Sequence, residues 1–456
     1  MISLRRSDIA FIGSAAVGIV FGVLLNPLVD TWWQQQQAVL GIIAVIVLAA
    51  VALEVARSLR VSSPTRELTL SDEALACTSG WASLGALVVL AAWAFLYREW
   101  WSAPRLFADD FRYIQQSADW ETTKRFLFVP FNEHVVPATR IITWLLVQVG
   151  GDRPEIAFAA FSVFMFLATT VLLFLLARRV GGGEIPALAA AAWFAVATCH
   201  SEVVTWYSAS QWLIAACLLL GSLLLVERRC KTRLFFATLF AGLAPWSYSI
   251  GAIVGPFTTF WLFAWHRRCE WRSLLPAVAG IASSIAVVVL VRRSMNDPAY
   301  WETGGRGFLE AFSPMSGFLF SVRLFVDRVL PVDLLLPWSF AGTIRAAVIF
   351  ALVGIVAVTA LRMRPPLACL WPTVVLIALG YAITIPFRTW HSYSGVAEWN
   401  RYQMIPQIGM ALLVAGVVGS SPHCRGRATW RGLLWFLGAL GVWTALQSGV
   451  VLRLVD

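Results

Sequence analysis

The sequence predicts an all-α protein, a polytopic transmembrane helical bundle of about 13 spans with juxtamembrane helices on its outer face. Three observations carry that expectation. Apolar residues make up 59% of the 456 and charged residues 13%, about half the charge that dresses a soluble surface. The mean hydropathy of +0.74 is concentrated in runs of about 20 apolar residues, the length that crosses a hydrocarbon core. Arginine, finally, alternates between loops in the manner that orients membrane helices. A soluble enzyme, a disordered chain, a coiled coil and a disulfide scaffold are excluded on these grounds.

In chain order the spans read 8–29, 38–56, 79–97, 155–177, 185–204, 210–226, 234–249, 250–265, 273–291, 341–361, 367–386, 403–419 and 430–451, with the pair 234–265 the shortest. Segments 137–150 and 318–336 are apolar but carry Arg140 and Arg323, Asp327 and Arg328 respectively, and read as helices lying at the interface. The chain divides into 1–78 (two spans and a cytoplasmic loop), a main module 79–420, and 421–456 (a cytoplasmic loop and the last span). The first span lacks a small-residue cleavage site and reads as an anchor.

With the N-terminus in the cytoplasm, the inner loops hold Arg5–Arg6, Arg57/Arg60/Arg66, Arg178–Arg179, Arg228/Arg229/Lys231/Arg233, Arg267/Arg268/Arg272, Arg362/Arg364 and Arg425/Arg427/Arg431, while outer loops 30–37 and 205–209 hold no Lys or Arg. The net charge of +10 is therefore a topological signal; no basic stripe interleaved with aromatics points to nucleic acid. The 23 Trp suit two interfacial belts. None of the seven Cys falls in a long outer loop, so neither disulfides nor a cysteine metal site is expected.

Three outer loops are long or polar: 98–136, 292–340 and 387–402. Their arginines run against topology, which suits either an anionic ligand on the outer face or snorkelling to headgroups. Asp109 and Asp110 lie just after the third span. Adjacent carboxylates repel, so one can hold a raised pKa and act as a base, or both can hold a cation; alternatively Asp109 caps a helix from Asp110 to Ser117. Glu133 and His134 precede Pro137, the helix-opening residue before Arg140. They fit a catalytic cluster, a metal site or a cap. His200 and Glu202 end the fifth span ahead of Trp206 and Tyr207, where ionisable groups face a bundle interior or a wet cavity. The loop 387–402 carries Arg388 and His391, and Arg401 and Tyr402 stand where the next span begins. Arg401 suits bidentate pairing with phosphate or anchoring at the interface.

The layout of Asp109–Asp110, the helix 137–150, the span ending at Arg178–Arg179, the polar aromatic segment His200–Tyr207 and the pair Arg401–Tyr402 ahead of Pro406 resembles the GT-C fold glycosyltransferases, including poorly characterised bacterial members. The resemblance implies a GT-C-like enzyme of the bacterial cytoplasmic (inner) membrane whose site faces the periplasm or exterior. It would move a sugar from a polyprenyl-phosphate-linked donor to a cell-envelope acceptor, without a nucleotide. Asp109 or Asp110, with Glu133 and His134 nearby, would supply the base. Arg401, Arg388 and Arg140 or a divalent metal ion would hold the phosphate, and His200, Glu202, His391 and Tyr402 would line the substrate. Two span-bearing alternatives differ from it: a lipid or solute transporter or flippase, and an envelope-glycan polymerase or ligase centred on 292–340 and 387–402.

Overall fold

The computed structural model describes residues 104–107, 109–131, 134–181, 184–195, 197, 200–226, 231–266, 271–294, 317, 318, 321, 367–382, 385 and 400–420. About 89% of them are helical and none forms a strand, so the all-α class holds. The spans expected at 8–29, 38–56, 79–97, 341–361 and 430–451, and nearly all of 318–336, lie outside the described residues.

Helix α1 (Asp109–Gln116), α2 (Trp120–Phe126) and α3 (Pro137–Gly150) form a cap. The bundle follows as α4 (Pro154–Val180), α5 (Glu184–Ala195), the short α6 (Ser201–Thr205), α7 (Gln211–Val226), α8 (Lys231–Ser247), α9 (Val254–His266), α10 (Leu275–Ser294), α11 (Leu367–Ala382) and α12 (Met404–Ser420). Single 3₁₀ turns cover Tyr207–Ser210, Ser249–Ile253 and Asn400–Gln403.

Local chemistry sets the ends. Proline opens α3 and α4, where its missing N–H has no intrahelical partner to lose. Gly151, at φ 55°, closes α3 in a conformation that side chains disfavour. At the far end of α4, Arg179 donates to the Leu224 carbonyl (3.1 Å) in the last turn of α7, a cation placed against the negative end of a helix.

Helix α7 is the hub, packed by α4, α8 and α9, while α12 joins α4, α5 and α11. Among the described residues, three helices are long and apolar enough to cross a membrane: Pro154–Val180, Tyr207–Val226 and Trp271–Ser294. The first and last of these turn apolar side chains outward, including Phe164 and Val171 on α4 and Val278, Ile285 and Val288 on α10. Lipid suits such faces and water does not. Helix α3 carries an exposed stripe of Ile141, Leu145 and Val149 opposite buried Thr139, Arg140 and Thr143, the pattern of a helix seated in an interface.

Three expected spans come out differently. The span 185–204 stops at Ala195, and the chain re-enters a helix at Ser201 on a new path. The reason is tertiary: Glu202 turns to bind Arg401, which is 199 residues away. The pair 234–265 forms helices of 17 and 13 residues, below the roughly 20 that a straight crossing needs. Between them Gly251 sits so close to Ala244 that any Cβ would strike its carbonyl.

Small residues set the helix spacing. A Cβ on Gly280 of α10 would lie 2.9 Å from the Gly255 Cα of α9, a contact that only backbone-to-backbone packing allows. Gly280→Val should therefore separate α9 from α10 and cost about 2–3 kcal/mol, read as a lower unfolding temperature in detergent; an unchanged temperature would show that the two helices pack otherwise.

Candidate functional site

The cap, α6 and the 3₁₀ turns Tyr207–Ser210, Ser249–Ile253 and Asn400–Gln403 gather at one end of the bundle. Residues from six stretches of sequence meet there.

Asp109 and Asp110 open α1, and their environments differ. Asp110 is 1% exposed. Its Oδ2 accepts the Phe107 N–H (3.0 Å) and its Oδ1 accepts the Ser208 N–H (2.8 Å). The first bond is half of a capping box, closing the start of α1; the second pins α1 to the Tyr207–Ser210 turn. Burial raises Asp110 from 3.8 to about 6, with the Phe107 and Ser208 N–H groups opposing and Asp109 adding repulsion. Asp109 sits in the first turn rather than capping it. Among the described residues, nothing hydrogen-bonds to its carboxylate. Burial raises its pKa, and the charges of Arg112 and Arg401 pull it back.

Arg401 is the cation of the group. Its guanidinium pairs with Glu202 Oε1, and its backbone N–H donates to Glu202 Oε2 (2.9 Å). The guanidinium carbon lies 5.1 Å from the Trp206 ring and 5.2 Å from the Tyr402 ring. Tyr402 packs edge-on against Trp212 at 5.6 Å, Trp212 tilts against Tyr248 at 5.3 Å, and His134 sits 4.3 Å from Tyr248. Carboxylates and a guanidinium thus stand beside a run of aromatic faces.

The supports are traceable. Tyr207 stacks on Phe158 at 3.8 Å and its hydroxyl meets Thr143 at 2.8 Å, fixing the turn that presents the Ser208 N–H. Thr139 donates to the Ser247 carbonyl (3.0 Å), tying α3 to the end of α8 beside Tyr248.

Comparison of the chain with family models, curated proteins and solved structures finds no match. The chemistry is accordingly read from these residues alone.

The structure brings together Asp109, Asp110, His134, Glu202, Arg401 and Tyr402, six of the sequence candidates. It places two others inside the protein. Arg140 is fully buried; it donates to Gln116 Oε1 (2.6 Å) and the Val129 carbonyl (3.2 Å), and lies 5.9 Å from the Tyr113 ring. It braces α1 and the loop after α2 against α3. His200 is fully buried between the Phe194 (4.2 Å) and Phe166 (5.5 Å) rings. Glu133, Arg388 and His391 lie outside the described residues. Among the described residues no three His, Cys, Asp or Glu side chains gather as metal ligands. Trp206, Ser208, Gln211, Trp212, Tyr248 and Gln403 belong to the site without having been candidates. The polar run Ser208–Gln211, at the start of an apolar span, was the signal that could have found Ser208, Gln211 and Trp212.

The elevated Asp110 makes a stability prediction. A carboxyl whose folded pKa exceeds its unfolded value binds protons better when folded. Its contribution is full below about pH 4 and is lost as pH rises through about 6. The unfolding free energy should fall across that window by on the order of 3 kcal/mol, and Asp110→Asn should lack this decline. A parallel pH dependence in the two proteins would assign the titration elsewhere.

Proposed function

We propose that the chain is a multi-pass membrane glycosyltransferase of the bacterial inner membrane, GT-C-like and of about 13 spans. It takes a sugar from a polyprenyl-phosphate carrier and gives it to an envelope acceptor at the outer end of the bundle. The observation that carries this reading is the division of labour in the di-acid. Asp110 is spent on two backbone N–H groups. Among the described residues nothing hydrogen-bonds to the Asp109 carboxylate, whose pKa burial raises beside two arginines. A base needs free lone pairs and a pKa closer to the working pH than an ordinary aspartate has.

In the reaction, Asp109 takes the proton of the acceptor hydroxyl as that oxygen attacks the anomeric carbon. The bond from that carbon to the phosphate oxygen breaks, and its electron pair leaves with the lipid phosphate. The ring passes through an oxocarbenium-like state. Arg401, held by Glu202, and Arg112, 5.5 Å over the Phe131 ring, supply fixed positive charge for the developing phosphate charge. The outward apolar faces of α4 and α10 and the stripe on α3 support a lipid carrier and a membrane seat.

The test is turnover. Purified protein given a polyprenyl-phosphate hexose and an envelope extract should release polyprenyl phosphate together with a glycosylated product. Lipid that binds and is never cleaved would move the reading to transport.

A further inference from the structure

We infer that Tyr113 and Gln116 of α1, with their partners Gln211 and Arg140, are positioning residues: they fix the roll of α1 and so set where the Asp109 carboxylate stands relative to Arg401. This rests on the reading of Asp109 as the base and adds what holds that base in place.

Helix α1 has eight residues. A helix shorter than about 12 residues is marginal by itself in water, so the placement of α1 comes from what holds it. Three of its side chains do so. The Asp110 carboxylate accepts the Ser208 N–H (2.8 Å), the Tyr113 hydroxyl accepts from Gln211 Nε2 (2.7 Å), and Gln116 Oε1 accepts from the Arg140 guanidinium (2.6 Å). At about 100° per residue, positions three apart drift by only about 60°, so the three tethers share one side of the helix. Phe111 and Gln115 are exposed on the other. The partners stand on separate supports: the Tyr207–Ser210 turn, α7 and α3. Tethers at both ends and in the middle, running to different supports, stop the helix from rolling as well as sliding. The middle one is also packed tightly. Tyr113 is 1% exposed, its ring stacked on Phe131 at 4.6 Å and meeting Tyr207 edge-on at 6.4 Å.

The roll matters because the two cations near Asp109 belong to different elements. Arg112 is on α1 and turns with it. Arg401 is on the Asn400–Gln403 turn, held there by Glu202. Both charges pull on the Asp109 carboxyl. Rolling α1 keeps the relation to Arg112 and changes the relation to Arg401. A reacting group misplaced by about 1 Å can cost about a hundredfold in rate.

The test uses the full chain in lipid nanodiscs. Tyr113→Phe removes the hydroxyl and keeps the ring on Phe131; Tyr113→Phe with Gln211→Leu also leaves no amide stranded, which guards against misfolding. In both, kcat for release of polyprenyl phosphate should fall about tenfold while KM for a polyprenyl-phosphate hexose stays within about twofold, with the unfolding temperature recorded for each. Added to Asp109→Asn, Tyr113→Phe should cause no further loss, because it acts through the group already removed. A second readout needs no turnover. In protein labelled with carbon-13 aspartate, the carboxyl signal missing from Asp109→Asn should titrate at higher pH in the Tyr113→Phe, Gln211→Leu protein, since a carboxyl that moves away from a cation is easier to protonate. Unchanged kcat in both variants, a further loss in the Asp109→Asn background, or an unmoved Asp109 titration would overturn the positioning role. A raised titration in a protein that never releases polyprenyl phosphate would keep that role and remove the proposed reaction.

Discussion

Asp109→Asn should lower sugar transfer by about a thousandfold while the protein keeps its unfolding temperature. Removal of a positioned base costs about 10²–10⁴ in rate, and among the described residues the Asp109 carboxylate accepts no hydrogen bond whose loss would loosen the fold. Asp110→Asn should behave in the opposite way. The carboxylate accepts two backbone N–H groups, from Phe107 and Ser208. An asparagine accepts one and meets the other with its own N–H, stranding a buried donor at about 1–3 kcal/mol. Its loss of activity should therefore track its loss of stability. The pH profile adds a second readout: with Asp109 raised above 3.8, the rate should climb with pH along an acid limb above that value. Full activity in Asp109→Asn, or a limb at the ordinary position, would remove Asp109 from the base role.

Glu202→Gln should be the most destabilising single change at the outer end, by about 3 kcal/mol. Both partners of the Glu202–Arg401 pair are only 14% exposed. Removing one partner of a desolvated pair strands the other charge, which costs far more than the pair contributes net. The pair also clasps α6 to the Asn400–Gln403 turn, so its loss reaches Tyr402 and Gln403. The double variant Glu202→Gln with Arg401→Gln should recover part of the loss, because no charge is left stranded. Thermal unfolding of the set closes the cycle. A single-variant effect within about 0.5 kcal/mol of wild type, the range of an exposed pair, would show that water reaches this clasp.

The pair also shows why half of the site stayed hidden in the sequence. Glu202 and Arg401 each stood out as ionisable groups at span ends. Nothing in either segment says that they face each other across 199 residues. The burial of Arg140 was hidden for a related reason. An arginine on an outward helix looks like a ligand for an anion until the face it occupies is known. Trp212, Gln211 and Gln403 lay inside or beside apolar runs, where Trp and Gln look like interfacial residues.

The sequence by itself determined the class and the local boundaries. Runs of apolar residues have no stable option but helices that shield their own backbone, and prolines at positions 137 and 154 start helices where the structure has them. These are near-neighbour effects, legible wherever composition and spacing are. Tertiary structure alone decided that Asp110 is buried on two backbone N–H groups while Asp109 is only half-buried, that the fifth span stops at Ala195, and that Arg140 and His200 are buried. Those outcomes turn on which distant backbone N–H, carboxylate or ring comes within about 3–5 Å, and on the desolvation that follows. Two adjacent aspartates are identical until the fold gives them different surroundings.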